Sequence, residues 1–339
     1  MTPSTNQRLF EFRGAFDSPL VLGLTIVVVA ILVATPVIFY LLARRGKLND
    51  KLRKELWDRY ISWLILAPLI VGPVLLGAFW TMLAIGVLSL LCYREFARAT
   101  GSFRQRIISA VIVLGILAVT FAAMDNWYGL FAALSPLTVG VIAAISILQD
   151  QPKGYIERVG LGVLGFMLFG VCLGHLSYFC NDMRYRQIVT WLLLCVELND
   201  VFAFICGKTL GHRKLAPNTS PNKTIGGALG ALVLTTLLGA FLARFVFRGT
   251  KLDTWGHALV LGGMISILGQ LGDLLISSVK RDIGIKDMAA VLPGHGGVLD
   301  RFNSLLLVCP GVFHYVGYYL GVGTGEEVRM FSRAIGSLL

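Results

Sequence analysis

The sequence predicts an all-α fold, a polytopic integral membrane helical bundle with about nine to ten transmembrane helices. Three observations indicate it: the chain is 56% hydrophobic, only 14% of its 339 residues are charged, and its mean hydropathy is +0.75. A soluble domain carries roughly 25% charged residues. A helix needs about 20 apolar residues to cross the hydrocarbon core, and stretches of that length recur along the whole chain.

Ten apolar spans can be placed in order. We divide the second from the third near Gly77, because the undivided stretch is too long for one crossing. We expect an N-terminal region of transmembrane helices with basic loops (1–185) and a C-terminal catalytic region (186–339). The predicted spans are 19–43, 60–77, 79–97, 106–124, 127–148, 158–180, 187–207, 225–247, 256–277 and 303–322.

The basic residues predict which loops face the cytoplasm. If the N-terminus is outside, the loops that fall inside hold 21 Lys and Arg and the outside segments hold 8. This bias follows the positive-inside rule. We expect a bacterial-type inner or plasma membrane. The bias also explains the net charge of +11 through contact with anionic membrane lipids, so we expect no nucleic-acid partner. A homodimer is one assembly that we consider.

Polar groups interrupt two of the spans. Asn199 and Asp200 lie in the seventh span with Glu197 nearby, and Asp273 lies in the ninth beside Gln270. Ionisable residues inside membrane helices are rare and usually functional. The alternative is that these groups are simply hydrated at the cytoplasmic ends of their helices.

The first polar loop, 207–227, combines cations with hydroxyl groups and turn residues. Such a segment suits a phosphate-rich anion, particularly with a helix N-terminus starting near Thr224. It lacks the spacing of a Walker A motif. Its candidate binding residues are Lys208, Arg213, Lys214, Thr219, Ser220, Lys223 and Thr224.

The second polar loop, 277–304, is more specific. Cations alternate with carboxylates, and the turn PGHGG at 293–297 precedes the pair Asp300-Arg301. Carboxylates that hold Mg²⁺, beside cations that neutralise phosphate, are what metal-assisted chemistry on a phosphate ester requires. For His295 a structural role and a catalytic role are both open. The charged residues before the turn are Lys280, Arg281, Asp282, Lys286 and Asp287.

These residues carry a family resemblance. The segment S-x-x-K-R-x(4)-K-D-x(5)-P-G-H-G-G-x-x-D-R, from Ser277 to Arg301, resembles the signature of phosphatidate cytidylyltransferases, also called CDP-diacylglycerol synthases. The run from Asp200 through G-K-x-x-G to S-P-N-K-T at 220–224 is similar to that family's other charged segment. The resemblance covers roughly residues 195–325.

The resemblance implies a cytoplasm-facing enzyme that binds CTP, phosphatidic acid and Mg²⁺, with a monovalent cation as a second candidate ion. In that family a phosphate oxygen of phosphatidic acid attacks the α-phosphorus of CTP and expels pyrophosphate. Matching positions imply that Asp300, Arg301, Lys280 and His295 are catalytic. They imply metal ligation by Asp273, Asp300 and Asp200. The implied substrate-binding residues are Lys208, Lys223, Ser220, Thr224, Arg281, Lys286, Gly294, Gly296 and Gly297.

The chain differs from the family pattern at three positions. Asn303, Gly226 and Ile276 stand where the family usually has acids. We expect Asp300 and Asn303 to share one face of a helix after the PGHGG turn. The differences leave two alternatives open: an impaired paralogue acting as a scaffold, and a cytidylyltransferase for another lipid phosphate, such as an isoprenoid or ether lipid. A transporter is disfavoured, because spans one to six are almost free of polar residues.

Overall fold

The computed structural model describes residues 3–44, 50–291, 296–321, 323 and 328–333. Helices dominate these residues, and the sixth span is a helix with a π-helical middle, Phe166–Cys172. The other helices are α1 Pro3–Phe10, α2 Pro19–Arg44, α3 Asp50–Leu76, α4 Ala78–Ala99, α5 Arg106–Met124, α6 Tyr128–Leu148, α7 Tyr155–Gly165, α8 Leu173–Tyr178, α9 Tyr185–Leu210, α10 Ile225–Val246, α11 Trp255–Asp282, α12 Leu299–Phe302 and α13 Leu305–Leu320.

The predicted membrane bundle is confirmed. Among the described residues, nine helices are long and apolar enough to cross a membrane, and the tenth predicted span forms the shorter α13. The division near Gly77 is also confirmed, since α3 ends one residue before it and α4 begins one residue after it. Gly77 has φ +142°, and a side chain there would collide with the carbonyl group of Leu9. The break therefore lets α1 pack closely against the chain.

The first polar loop is more ordered than its turn residues suggest. It forms an antiparallel hairpin of β1 (Lys214–Ala216) and β2 (Ser220–Thr224), in which Lys214 faces Thr224 and Ala216 faces Ser220. The turn contains Pro217 and Asn218, residue types that favour reversal of the chain. The hairpin is the one described departure from an all-helical fold.

Helices α9, α10 and α11 are joined in the membrane by hydrogen bonds between side chains. The buried Asn199 of α9 accepts hydrogen bonds from Thr235 of α10 (3.0 Å) and Ser266 of α11 (2.6 Å). Gln270 then donates to Ser266 (3.2 Å). Because polar groups in hydrocarbon must be satisfied within the protein, this network fixes the rotation of the helices that carry the polar loops.

One contiguous hydrophobic core includes buried side chains from Leu9 to Met330. It therefore crosses the predicted boundary between residues 185 and 186, and that boundary stays a prediction about function. The hairpin, the C-terminal end of α11, α12 and the C-terminal end of α4 meet at one end of the bundle. We call this end the loop end.

Helix α1 and residues 328–333 meet at the opposite end of the bundle. Arg8 of α1 donates to the carbonyl group of Cys180 and lies 3.8 Å from the sulfur of Met330. The buried carboxylate of Asp125 accepts hydrogen bonds from the backbone N–H groups of Phe331 and Ser332. These contacts hold the first helix and residues 328–333 against the same face.

Candidate active site

The first polar centre, which we call the acidic cluster, consists of Asp200, Asp273, Lys223, Asn303 and Ser304. Asp273 forms an ion pair with Lys223 and accepts a hydrogen bond from the Asn303 amide at 2.6 Å. The Ser304 hydroxyl lies 3.4 Å from carboxylate oxygen Oδ2 of Asp200 and 3.4 Å from Asn303 Oδ1. Asp200 and Asp273 are close enough to interact electrostatically. The cluster thus joins α9, α11, β2 and the start of α13.

A close backbone approach brings these groups together. A side chain at Gly272 would lie 2.7 Å from the carbonyl oxygen of Asn303, so only glycine allows α11 to pass this near the turn after α12. Asn303 and Ser304 are buried in that turn, whereas Asp200 is exposed. The accessible carboxylate of Asp200 thus lies beside side-chain oxygens that the buried turn holds in place.

Arg301 extends the acidic cluster toward α9. It is exposed, and it interacts electrostatically with Asp200 and with Glu197, which lies about one helical turn earlier. A guanidinium group can bind phosphate in a bidentate geometry. Arg301 is therefore placed to bind an anion next to the cluster.

The second polar centre, which we call the buried anchor, is formed by Asp300, Lys280 and Glu95. Asp300 Oδ1 lies 2.9 Å from the Lys280 ammonium group, and the two side chains are 6% and 11% exposed. Its other oxygen accepts hydrogen bonds from the backbone N–H groups of Met288 (2.9 Å) and Gly297 (3.0 Å). Both oxygens of Asp300 are thus engaged within the protein.

Glu95 was missed by the sequence reasoning. Its two carboxylate oxygens accept hydrogen bonds from the N–H groups of Val298 (2.9 Å) and Leu299 (2.8 Å), at the start of α12. A side chain at Gly297 would collide with this carboxylate. Glu95 is an acid within the predicted third span, so the rule that singled out Asp200 and Asp273 also applies to it.

The predicted phosphate-binding residues of the two loops differ in what they contact and in how exposed they are. Lys208 lies over the ring of Phe204 at 4.3 Å, Arg281 donates to the carbonyl group of Thr219 (3.1 Å), and Lys286 is exposed. The Arg281 contact joins α11 to the turn of the hairpin. Ser220 is half-buried in β2.

Thr224 begins α10 as predicted, but its hydroxyl acts within the protein. Thr224 Oγ1 accepts a hydrogen bond from the N–H group of Gly227 (3.0 Å), and the residue is buried. It therefore caps the helix. The predictions for Gly294 and His295 fall outside the described residues. Gly296 has φ +79° and lies against Asp300.

Asp300 and Asn303, expected on one helix face, do not bind a common group. Helix α12 ends at Phe302, and the two side chains have different partners: Asp300 pairs with Lys280, and Asn303 with Asp273. The three predicted metal ligands are divided in the same way, because Asp300 belongs to the buried anchor. Within the described residues, no three His, Cys, Asp or Glu side chains form a metal-binding group.

The acidic cluster nevertheless suits a hard cation. It offers the carboxylates of Asp200 and Asp273 together with the side-chain oxygens of Asn303 and Ser304. Such oxygen donors are those that Mg²⁺ prefers. The metal assignment stays a prediction, with Asp200 and Asp273 as its carboxylates.

The structure explains the three departures from the family pattern. The amide of Asn303 donates to Asp273, which a carboxylate at this position cannot do. A side chain at Gly226 would collide with the carbonyl group of Leu210, and Ile276 is fully buried in the core. At these positions the fold accommodates an amide, a glycine and an apolar residue.

Comparison with known proteins gives consistent results. The sequence profile of the cytidylyltransferase family matches residues 57–319. The phosphatidate cytidylyltransferase of Helicobacter pylori is 32% identical over 278 residues, covering 81% of this chain and 96% of that protein. That of Staphylococcus haemolyticus is 32% identical over 250 residues, covering 73% and 94%. The uncharacterized protein YnbB of Escherichia coli K12 is 31% identical over 252 residues, covering 72% and 82%.

Proposed function

The chain belongs to the cytidylyltransferase family, and from this premise we propose that it is a CTP:phosphatidate cytidylyltransferase. In this proposal it transfers CMP from CTP to phosphatidic acid, a step of phospholipid biosynthesis. The family makes it a nucleotidyltransferase, and the bundle makes it a multi-pass membrane protein. The position of the acidic cluster is the observation that supports a lipid phosphate as the acceptor. Carboxylates and phosphate-binding cations meet there on membrane-spanning helices, where a lipid phosphate can reach them.

The proposed reaction is an attack on the α-phosphorus of CTP. A phosphate oxygen of phosphatidic acid forms the new P–O bond while the bond to the leaving pyrophosphate breaks, so CDP-diacylglycerol remains in the bilayer. Arg301 would bind the lipid phosphate, and Lys223 would neutralise charge that develops at the reacting phosphorus. The cations Lys208, Arg281 and Lys286 would hold the triphosphate.

Asp200 and Asp273, with the oxygens of Asn303 and Ser304, would hold Mg²⁺ in this site. Bound Mg²⁺ neutralises phosphate charge and makes the phosphorus more electrophilic. A monovalent cation is a second candidate for the same oxygen donors. In this assignment Lys280 does not bind substrate, because it pairs with Asp300 and positions the loop that carries Arg301.

Purified protein in vesicles of phosphatidic acid provides the test. With CTP and Mg²⁺ we expect pyrophosphate release and a CDP-lipid detectable by mass spectrometry, with neither product when the lipid is phosphatidylcholine alone. Turnover with an isoprenoid phosphate but not with phosphatidic acid would identify another acceptor. Absence of turnover with every lipid phosphate would favour the scaffold alternative.

We propose that the loop end faces the cytoplasm, where CTP is available. The proposal is supported by the bias of 21 basic residues over 8, and by the meeting of the basic loops at one end of the bundle. Single cysteines at positions 214 and 286, in a cysteine-free background, should react with an impermeant reagent only after the membrane is opened. Labelling from outside intact cells would reverse the orientation.

A further inference from the structure

A long apolar groove of about 490 Å³ runs between α2, α3 and α9. Its walls include Val28 and Leu32 of α2, Ala67 of α3 and Leu194 of α9, and its one acidic wall residue is Glu197. These positions lie in segments that are long and apolar enough to span the membrane. The groove is therefore accessible to hydrocarbon.

The groove offers few polar contacts to an occupant. The hydroxyl groups on its walls already donate to backbone carbonyl groups, and these residues are Thr25, Thr35, Tyr60 and Thr190. Glu197 accepts no hydrogen bond from any described residue, and its interactions are electrostatic, with Arg301 and Asp200. The walls thus suit an apolar chain whose polar end lies near Glu197.

The dimensions fit a single chain. The α2 wall runs from Val21 to Phe39, which is roughly 27 Å of helix at 1.5 Å per residue. A volume of 490 Å³ distributed over that length leaves a cross-section for one extended hydrocarbon chain. Near one end, the ring of Phe39 packs edge-on against Trp57 (5.8 Å) and Tyr60 (6.4 Å), which fixes α2 to α3.

Glu197 links the groove to the candidate active site. Glu197 faces the groove and interacts with Arg301, the cation assigned above to the lipid phosphate. A lipid phosphate at Arg301 would therefore lie on the side of the groove that carries Glu197. One wall, α2, lies before the residues that match the family profile.

We propose that the groove binds one hydrocarbon chain of the lipid acceptor and that α2 makes the enzyme selective for the length of that chain. The proposal rests on the proposed function for the identity of the acceptor. Occupation by bulk membrane lipid, or by a helix of another protein, is an outcome that the test can distinguish.

Photolabelling of the intact protein tests the binding directly. Phosphatidic acid with a diazirine near the end of one acyl chain is added to protein in phosphatidylcholine vesicles, and crosslinks are mapped by mass spectrometry. We expect labelling of the groove faces of α2 and α9, reduced by unlabelled phosphatidic acid but not by phosphatidylcholine of equal chain length. Equal competition by the two lipids, or labelling spread evenly over the outer helix faces, would overturn the proposal.

Two neighbouring substitutions on α2 test chain selection. Val28→Trp fills the groove, whereas Val29→Trp changes the next residue, which is 53% exposed and does not line the groove. We expect Val28→Trp to raise KM for dioleoyl phosphatidic acid about tenfold, in keeping with the selectivity of apolar pockets. KM for CTP and for dihexanoyl phosphatidic acid should be unchanged, and Val29→Trp should match the unsubstituted protein.

Equal KM values for the two variants would contradict the proposal. The photolabelling uses the unsubstituted protein, so it decides the proposal even if Val28→Trp fails to fold. It also separates the two hypotheses. Specific labelling of the groove without pyrophosphate release would retain the binding site and reject the proposed reaction, whereas turnover without specific labelling would do the reverse.

Discussion

The acidic cluster and the buried anchor lie at the same end of the bundle and contain the same kinds of residue, but they differ in what their carboxylates contact. Both oxygens of Asp300 have partners inside the protein, as do both oxygens of Glu95. Asp200 is exposed and has one hydrogen bond, from Ser304. An acid in a membrane helix is therefore not by itself evidence of catalysis. A carboxylate whose two oxygens are both bound within the protein has a structural role, whereas an exposed carboxylate with few partners can bind a ligand.

The largest effect is expected from Asp200→Asn. It removes a charge from the proposed Mg²⁺ site while the exposed side chain loses little packing. We expect turnover to fall at least ~100-fold, as for the loss of several kcal/mol of charge stabilisation, with thermal unfolding unchanged. Pyrophosphate release and the unfolding midpoint are the measurements. Retention of more than about a tenth of the activity would move the metal site elsewhere.

Asp300→Asn should act mainly on stability. It leaves the buried ammonium group of Lys280 without its carboxylate, at a cost of about 3–5 kcal/mol. The double variant Asp300→Asn with Lys280→Met should recover part of this stability without recovering activity. Thermal unfolding of both variants in detergent checks the expectation. Lost turnover with an unchanged unfolding midpoint would instead make Asp300 a metal ligand, as the sequence predicted.

Glu95→Gln tests whether the anchor positions the catalytic loop. The substituted amide keeps one acceptor oxygen and places a donor against a backbone N–H group, which costs about 1–3 kcal/mol. We expect kcat to fall while KM for CTP changes little, because Arg301 is misplaced without loss of the nucleotide-binding cations. The exposed neighbour Arg94→Gln is the control. A changed KM for CTP at constant kcat would assign Glu95 to nucleotide binding.

The smallest effect is expected from Asn303→Asp. The new carboxylate loses the hydrogen bond to Asp273 but adds a charged ligand, so the Mg²⁺ concentration for half-maximal activity should fall several-fold. Without Mg²⁺ the variant should unfold at a lower temperature, since two carboxylates then face each other. An unchanged or higher Mg²⁺ requirement would show that the site is built around the amide.

The sequence predicts most of the fold because each span needs about 20 apolar residues in a helix to cross the hydrocarbon core. Span length, the break at Gly77 and the start of α10 after Thr224 all follow from local composition. The polar positions of α9 and α11 are also visible, since an ionisable group stands out against apolar neighbours. The proximity of Asp200 to Asp273 follows once both helices end in loops on one side.

The remainder depends on contacts between distant residues. Glu95 binds the start of α12, about two hundred residues later in the chain. No local sequence pattern in either segment predicts this contact. Asp300 and Asn303 have different partners, although their spacing fits one helix face. Strands β1 and β2 pair in a hairpin, although the glycine and proline residues of this loop indicate only turns. In each case tertiary packing selects among local conformations that the sequence allows equally.

The contacts of residues 328–333 at the far end of the bundle bear on how the protein is made. Residues 328–333 are synthesised long after Asp125 and Arg8, yet they contact both side chains, which are 0% and 4% exposed. A growing chain thus leaves the Asp125 carboxylate without these two donors until Phe331 and Ser332 have been made. A chain that ends before Phe331 would lack the two backbone N–H groups that donate to the Asp125 carboxylate, so it would differ from the longer chain at a buried charged group.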